Sequence, residues 1–582
     1  MQEEDEAAFV PVQGCPDRQR WDRLEAAEVQ RAYETAVGTE RARADTAGGP
    51  HSTLRKKKPA APDDEEARFF ASPTGVRLLQ RVTLAATVVF DVTGTDGLGK
   101  LVRFMELSRL GNHVAHSRGW LHKFSLATME QMTAFESHVL ARLKAGLKTK
   151  LVITLCLDET FHPRILLVAM EPVSGFIFVE KYADKRDAET WIAALKESME
   201  GLEVEVVQVT SDQAKALLYV ANEELQAQPS PDVMHVQHDM AKGMTLPLLS
   251  QERKAQKAFE VAVAATTAFQ EALQAAQREP RSPGRSPDHE RQVAEALERQ
   301  AHAQATLEQA TANRKDARQT VRDISKEYHP YDLETGEIRT DRALESKLAE
   351  LLGKARDIVK RTELPQRCVD SVEKAGRVFA AMVNTLGFCH RVMAEHVATL
   401  SVSAALQTAM LVFLIPALYL RRAAKKAPLA KTRDAINKVA QDLLDKLYST
   451  PAWLELDDAT RSIVMKNAIW CADLFQRSSS CVEGRNGQLS LYHHALHRLS
   501  DAKLHALTII HNYFIRRPDG TTAAERLYGN KHEEMFEWLL CRVPVPPRPA
   551  PHNARGAANS RRKLERSSAP PSTVQTAVLL AA

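Results

Sequence analysis

Residues 151–242 constrain the fold more than any other stretch of the chain. An apolar run at 151–157 (LVITLCL) ends on Asp158, and a second at 165–170 (ILLVAM) follows a turn through Pro163. Pro172 and Gly175 punctuate a hairpin into 176–179 (FIFV). A helical pattern covers 188–199, and a fourth run, 204–210 (VEVVQVT), leads to Asp212. A second helical pattern at 214–226 precedes a fifth short run at 233–237. β-Branched residues fill the runs and turn formers separate them, so the order predicts β-β-β-α-β-α-β, a mixed sheet of the α+β class.

The remainder is too long for one core. With 582 residues, several units are expected. The net charge of +4 permits a nucleic-acid partner without demanding one. The seven cysteines (15, 156, 368, 389, 471, 481 and 541) contain no C-x-x-C pair, which argues against a zinc ribbon or disulfide framework and fits a reducing compartment. The N-terminal segment is acidic and polar, unlike a signal peptide. Residues 397–420 are long enough to span a bilayer, but polar residues fill their first half and Pro416 interrupts the end. A buried helix is expected there rather than a membrane span.

In chain order, residues 1–66 read as a disordered tail carrying a basic run at 55–58. Residues 67–148 read as helical, with helices expected at 76–90, 99–107 and 112–121. The turn at Leu110 and Gly111 suits a helix-turn-helix DNA-binding domain, in which Arg109, His113, His116, Arg118 and Lys123 would face a duplex. The sheet domain occupies 149–245. Residues 246–475 form an all-helical region that opens with a coiled-coil hairpin at 249–328. Its seam is Phe259, Ala262, Thr266, Phe269 and Leu273 against Leu307, Ala310, Arg314, Ala317, Val321 and Ile324, with the prolines of 280–287 at the bend. A loop is expected at 329–340. Residues 476–540 return to the sheet domain, and 541–582 form a Pro-rich, then basic, disordered tail.

The chemistry resides in acids. Asp158 and Asp212 follow strands that should be neighbours, and two carboxylates at adjacent strand ends can bridge a pair of Mg²⁺ ions, which prefer hard oxygen ligands. Two such ions suit in-line displacement at a phosphodiester. The third acid should come from a later helix. Glu483 is expected, on a helix capped by Ser478–Ser480 that aligns Glu483, Asn486 and Ser490 on one face. Glu252, at the start of the hairpin, is its rival.

These residues resemble the bacterial insertion-sequence transposases of the DDE class, which carry an RNase H-like catalytic core, here interrupted by a long helical insertion. The resemblance rests on LCLDET at 155–160, VTSDQ at 209–213, VQHD at 236–239, RSSSCVEGRN at 477–486, IHNYFIRR at 510–517 and DGTTAAER at 519–526, and it spans roughly residues 69–529. It implies an RNase H-like mixed sheet with flanking helices. It also implies Asp158, Asp212 and Glu483 as metal-binding catalytic acids and Mg²⁺ (or Mn²⁺) as cofactor. The partners would be double-stranded DNA, as transposon ends and target, and further copies of the chain in a homo-oligomeric DNA complex in the bacterial cytoplasm, at the nucleoid. Water would cleave the phosphodiester and the freed 3′-hydroxyl would attack target DNA. Arg477 and Arg485 would contact DNA beside the acids, and His238 would lie near the metals. A DNA-binding descendant that no longer cuts, and an RNase H-like nuclease that does not transpose, share these motifs.

Two patterns are decoys. GTDGLGK at 94–100 matches a phosphate loop except that Leu101 stands where Ser or Thr would ligate magnesium, so no nucleotide partner is expected. His493 and His497 have zinc-site spacing without the Glu of H-E-x-x-H.

Overall fold

The computed structural model describes residues 22–50, 54, 65–147, 149–278, 288–496 and 499–549. The chain divides into two compact units, one of residues 140–493 and 510–532, the other of 1–139, 494–509 and 533–582. The sequence assigned all of 476–540 to the sheet domain. Residues 494–509 and 533–540 instead group with the N-terminal helices.

The first of these units is built on one mixed sheet of β1 (Leu151–His162), β2 (Arg164–Met170), β3 (Ile177–Ala183), β4 (Val204–Ser211) and β5 (Gln228–Pro231), in the order β3-β2-β1-β4-β5. β1 pairs antiparallel with β2 and parallel with β4; β2 and β3 are antiparallel, β4 and β5 parallel. The central strands are covered on both faces, as their unbroken apolar runs require: residues 153–157 and 166–170 are all buried. Helix α1 (Ala188–Met199) links β3 to β4, starts at an Asp187 cap and buries Trp191.

The fifth strand departs from expectation. It lies at Gln228–Pro231, and the run at 233–237 belongs to helix α2 (Val233–Met240). Val233, Val236 and Met240 are buried at three- and four-residue steps, a helical stripe that a short apolar run does not distinguish from a strand. Pro229 and Pro231 are tolerated because β5 is at the sheet edge.

Helices α3 (Leu246–Arg278) and α4 (His289–Glu327) form the expected paired arm. Its seam is thin. Thr266, Ala296 and Ala317 are buried, Phe259 and Phe269 only half so, and the Thr266 hydroxyl donates to the Ala296 carbonyl at 3.2 Å. Beyond the arm, further helices close on a core that includes Tyr328, Leu348, Met382, Cys389, Met410, Leu414 and Phe475. The expected loop at 329–340 carries a bridge between Tyr331 and Ile338. One helix here, Ala404–Lys426, is long and apolar enough to cross a membrane, but half of its most apolar window is buried, and Leu406, Ile415 and Leu420 lie in this core.

The chain then returns to the sheet through α5 (Ser480–Leu496). The Arg485 guanidinium holds both carboxylate oxygens of Glu180 on β3 at 2.7 Å, with both side chains buried. The following segment clamps the edge strand: the Asn512 amide accepts from Ile177 N–H and donates to its C=O, both at 2.9 Å.

In the other unit, residues expected to be disordered form helices Arg23–Thr35 and Glu40–Thr46. A capping box between Asp22 and Glu25 starts the first, and Tyr33, Ala44, Ala47 and Leu54 share a small buried cluster. The low apolar content concealed this, because small alanines and one tyrosine suffice for so thin a contact. The basic run at 55–58, the prolines of 280–287, His497 and the basic tail beyond 549 lie outside the described residues.

Replacing Arg485 by Ala strands a buried carboxylate, which should cost about 3–5 kcal/mol. Arg485→Ala should therefore melt well below wild type in thermal denaturation, and adding Glu180→Gln should recover part of the loss. An unchanged melting temperature would mean that the pair does not anchor α5.

Candidate metal centre

Three segments converge beside the sheet, all within the unit that contains it. Parallel pairing between β1 and β4 ends at Cys156 and Thr210, so the strands part just before the acids. Asp158 remains on β1, opposite Val168 of β2, and Asp212 follows β4. Parting strand ends leave space for a ligand, as open sheets commonly do.

Asp158 is mostly buried. Its Oδ1 accepts from Glu159 N–H at 2.9 Å, and its Oδ2 accepts from the Asn486 amide at 3.0 Å. Burial pushes its carboxyl up to about 6, reinforced by the charges of Asp212 and Glu483 and opposed by the Glu159 hydrogen bond and by His235. Asp212 is exposed, and one oxygen accepts from Ala214 N–H at 2.9 Å. Glu483 lies in the first turn of α5. Its carboxyl is raised by burial and by Asp232, and lowered by His235 and His238. The structure thus brings Asp158, Asp212 and Glu483 into one electrostatic neighbourhood, with His238 at its border.

Sequence reasoning missed Asp232 and His235. Asp232 caps α2 and is fully buried. It accepts from Met234 N–H at 2.7 Å, Ser479 N–H at 3.2 Å, the Ser479 hydroxyl, and His235 Nδ1 at 3.2 Å. Burial pushes its carboxyl up, but the bonds from His235 and Ser479 outweigh this and hold it below the usual carboxylate value. The hydrogen bond to Asp232 raises the His235 imidazole to about 9 against its burial, and Asp158 and Asp212 add to the shift. His235 is therefore an imidazolium at neutral pH, facing the acids. Potential ligand atoms of Asp232, His235 and Glu483 lie within 4.8 Å of one another. However, Asp232 already has four donors, which suits it to positioning His235 and Ser479 rather than to ligating an ion. The missed signal was an Asp at a helix start with a His three residues on, hidden by reading that helix as a strand.

Other expected site residues lie elsewhere or are occupied. Arg477 donates to the Ser325 carbonyl at 2.6 Å and meets His329 Nε2 at 2.7 Å, and Arg485 is locked on Glu180, so neither guanidinium is free for DNA. Their position beside the acids in sequence gave no sign of these internal partners. Glu252 pairs with Arg314 across the helical arm, which removes it as rival to Glu483. The helix expected at 112–121 is instead a short 3-10 turn, Leu110–Asn112, and a long helix, Arg118–Ala145. The connection after Leu98–Leu107 is therefore longer than a helix-turn-helix turn. Arg109, Arg118 and Lys123 are exposed; His116 is half-buried; His113 pairs with Glu66 at 2.8 Å and stacks on Phe70. The run at 88–92, before the phosphate-loop pattern, is helical, and Lys100 pairs with Asp96. His493 stacks on His162 and meets the Tyr182 hydroxyl at 3.4 Å.

Residues 410–555 match the model of a family of unknown function (DUF6399). The match includes Glu483 and the segment that clamps β3, and excludes Asp158 and Asp212. No curated protein and no solved structure matches the chain.

The raised Asp158 carboxyl sets a sign for stability. In metal-free protein its ionised form is disfavoured by folding, a cost complete above about pH 6 and absent below the unfolded value near 4. Asp158→Asn keeps an acceptor for Glu159, and the Asn486 amide, whose Oδ1 is buried without a partner, can turn to meet the new amide. The variant should gain roughly 1–3 kcal/mol over wild type at pH 8 and lose that advantage towards pH 4. Thermal melting in chelator at both pH values checks this; a variant less stable than wild type at pH 8 would contradict it.

Proposed function

We propose that this chain is a metal-dependent DNA strand transferase of the DDE transposase type, with the sheet as an RNase H-like core and the helical region 246–475 as an insertion within it. The observation that carries the reading is the convergence of Asp158, Asp212 and Glu483, from three separated segments, beside the parting ends of β1 and β4. The sheet order β3-β2-β1-β4-β5, with β2 antiparallel to β1 and β3, supports it.

The donor set fits divalent cations. The three acids offer hard oxygen ligands, and Asp158 is a mostly buried carboxylate that forms no ion pair among the described residues. The unpaired buried Oδ1 of Asn486 is a further oxygen at the same place. A bound pair of Mg²⁺ or Mn²⁺ ions would lower the pKa of an attacking water and neutralise charge on the phosphate. Asp158, Asp212 and Glu483 would hold those ions. Asn486 fixes the Asp158 carboxylate. Asp232 fixes His235, whose imidazolium offers positive charge to an incoming phosphodiester. Ser479, bonded to Asp232, sets the start of the helix that carries Glu483.

The full chain, incubated with Mg²⁺ and DNA carrying the sequences that flank its gene, should cleave at an end and join that end to a second duplex. Asp158→Asn and Glu483→Gln should each reduce both steps by about 10²-fold or more. Cleavage without joining would favour a nuclease, and wild-type activity in both variants would refute the assignment. A separate measurement needs no DNA. Mg²⁺ should raise the melting temperature of wild type through a saturable site, and much less that of Asp158→Asn.

A further inference from the structure

A cavity lies at the start of β1, on the N-terminal side of Asp158. Its volume is about 430 Å³, within the range of small-molecule sites, and its lining includes Ile153, Glu171, Trp470, Asp473, Arg517 and Arg526. Ile153 and Asp158 are roughly 16 Å apart along the strand at ~3.3 Å per residue.

The two arginines come from the segment that clamps β3, and backbone carbonyls anchor each guanidinium. Arg517 Nη1 donates to the Val173 carbonyl at 3.0 Å. Arg526 Nε donates to the Ser174 carbonyl at 2.8 Å, and its Nη1 to the Thr521 carbonyl at 2.6 Å. The Val173 and Ser174 carbonyls fix both groups on the β2–β3 turn. The remaining nitrogens, both Nη2, converge over Gly175. A Cβ built there would lie 3.1 Å from Arg517 Nη2 and 4.0 Å from Arg526 Nη2. Neither Nη2 has an acceptor among the described residues, and neither arginine pairs with a carboxylate there.

The acids of the lining are already engaged. Both Glu171 oxygens accept from backbone N–H groups, of Val173 at 2.9 Å and Ser174 at 2.6 Å, while Asp473 pairs with Arg422. Nearby Asp519 is turned onto Thr521 N–H and its hydroxyl. Burial and the neighbouring Arg517 charge lower the Arg526 pKa, against the opposing charges of Asp519, Glu525 and Glu171. Planar guanidinium donors held in this way suit phosphate oxygens. The half-buried Trp470 indole, packed on His396, supplies an aromatic wall.

We infer that this cavity is a nucleotide site, in which Arg517 and Arg526 bind the phosphate through their free Nη2 groups and Trp470 contacts the nucleoside. The phosphate belongs either to a free mononucleotide or to the 5′ end of a DNA strand. The site is independent of strand transfer, because its residues hold none of the three acids.

The test is equilibrium binding to the full chain in chelator, where no strand chemistry occurs. The probes are dAMP, inorganic phosphate, and a single-stranded oligonucleotide with either a 5′-phosphate or a 5′-hydroxyl. Wild type should bind dAMP, with inorganic phosphate competing. Arg517→Gln and Arg526→Gln should each weaken dAMP by about 10-fold or more, the worth of a charged hydrogen bond. Trp470→Leu should weaken dAMP while leaving inorganic phosphate unchanged, and Asp158→Asn should bind dAMP as wild type does. Preference for the 5′-phosphorylated over the 5′-hydroxyl oligonucleotide identifies the strand end as the source; binding of dAMP alone identifies the free nucleotide. Failure of wild type to bind either dAMP or the phosphorylated oligonucleotide overturns the proposal without recourse to any variant. So does undiminished binding by arginine variants that melt like wild type.

Discussion

The buried carboxylate of Asp232 is the contact on which the candidate centre depends. A lone buried carboxylate is costly, yet this one is satisfied by four donors, two of them from Ser479, far along the chain. It therefore joins the start of α2 to the start of α5. Around it, the Gln476 carbonyl accepts from Gln208 at 2.8 Å and Thr210 at 3.2 Å on β4, and Val233 N–H donates to the Arg477 carbonyl at 3.0 Å. These bonds seat the returning chain against the parallel half of the sheet. The acid on β1 then lies within the electrostatic reach of one after β4 and one from a helix far along the chain.

The centre is electrostatically frustrated, with several carboxylates sharing few cations. Buried Glu180 has a bidentate arginine, and buried Glu171 accepts from backbone donors with both oxygens. Asp158 has an amide, a backbone N–H and two like-charged neighbours, and its carboxyl is correspondingly raised. Neither a bidentate cation nor a full set of backbone donors is present at Asp158. Departures of this kind concentrate where a ligand completes the site. His235 provides partial compensation, since its raised imidazole on α2 faces the acids.

The strands were legible because β-branched runs bounded by proline and glycine admit few alternatives: β1 to β4 lie where the runs lie. The fifth was not, because Val233, Met234 and Val236 fit a strand or a helical stripe equally until Asp232 is recognised as a cap. The three acids could be nominated from residue type and position at strand ends. The positioning shell could not, because Asn486, Ser479 and Asp232 work through hydrogen bonds across the chain that no local pattern encodes. The same limitation misassigned Arg477 and Arg485. An arginine near an acidic motif suggests phosphate, but His329 and Glu180, the partners that occupy these two, lie far off in sequence.

The contacts of residues 476–493, taken in chain order, cross the sheet from one side to the other. Gln476 meets β4, and Ser479 meets the cap that follows β5. The Cys156 thiol on β1 donates to the Ser478 carbonyl at 3.8 Å, and Asn486 reaches Asp158 on the same strand. Arg485 and His493 meet Glu180 and Tyr182 on β3. Helix α5 is thus tied on both sides of Glu483, before it through Ser479 and after it through Arg485, to opposite edges of a single sheet. Its placement is set by these local anchors and does not depend on the length of the helical region that separates it from β5. That is the physical reason why the spacing between Asp212 and Glu483 carries no information about their proximity. It also means that rearranging the helical arm would leave Glu483 in place unless the Asp232 or Glu180 anchor were broken first.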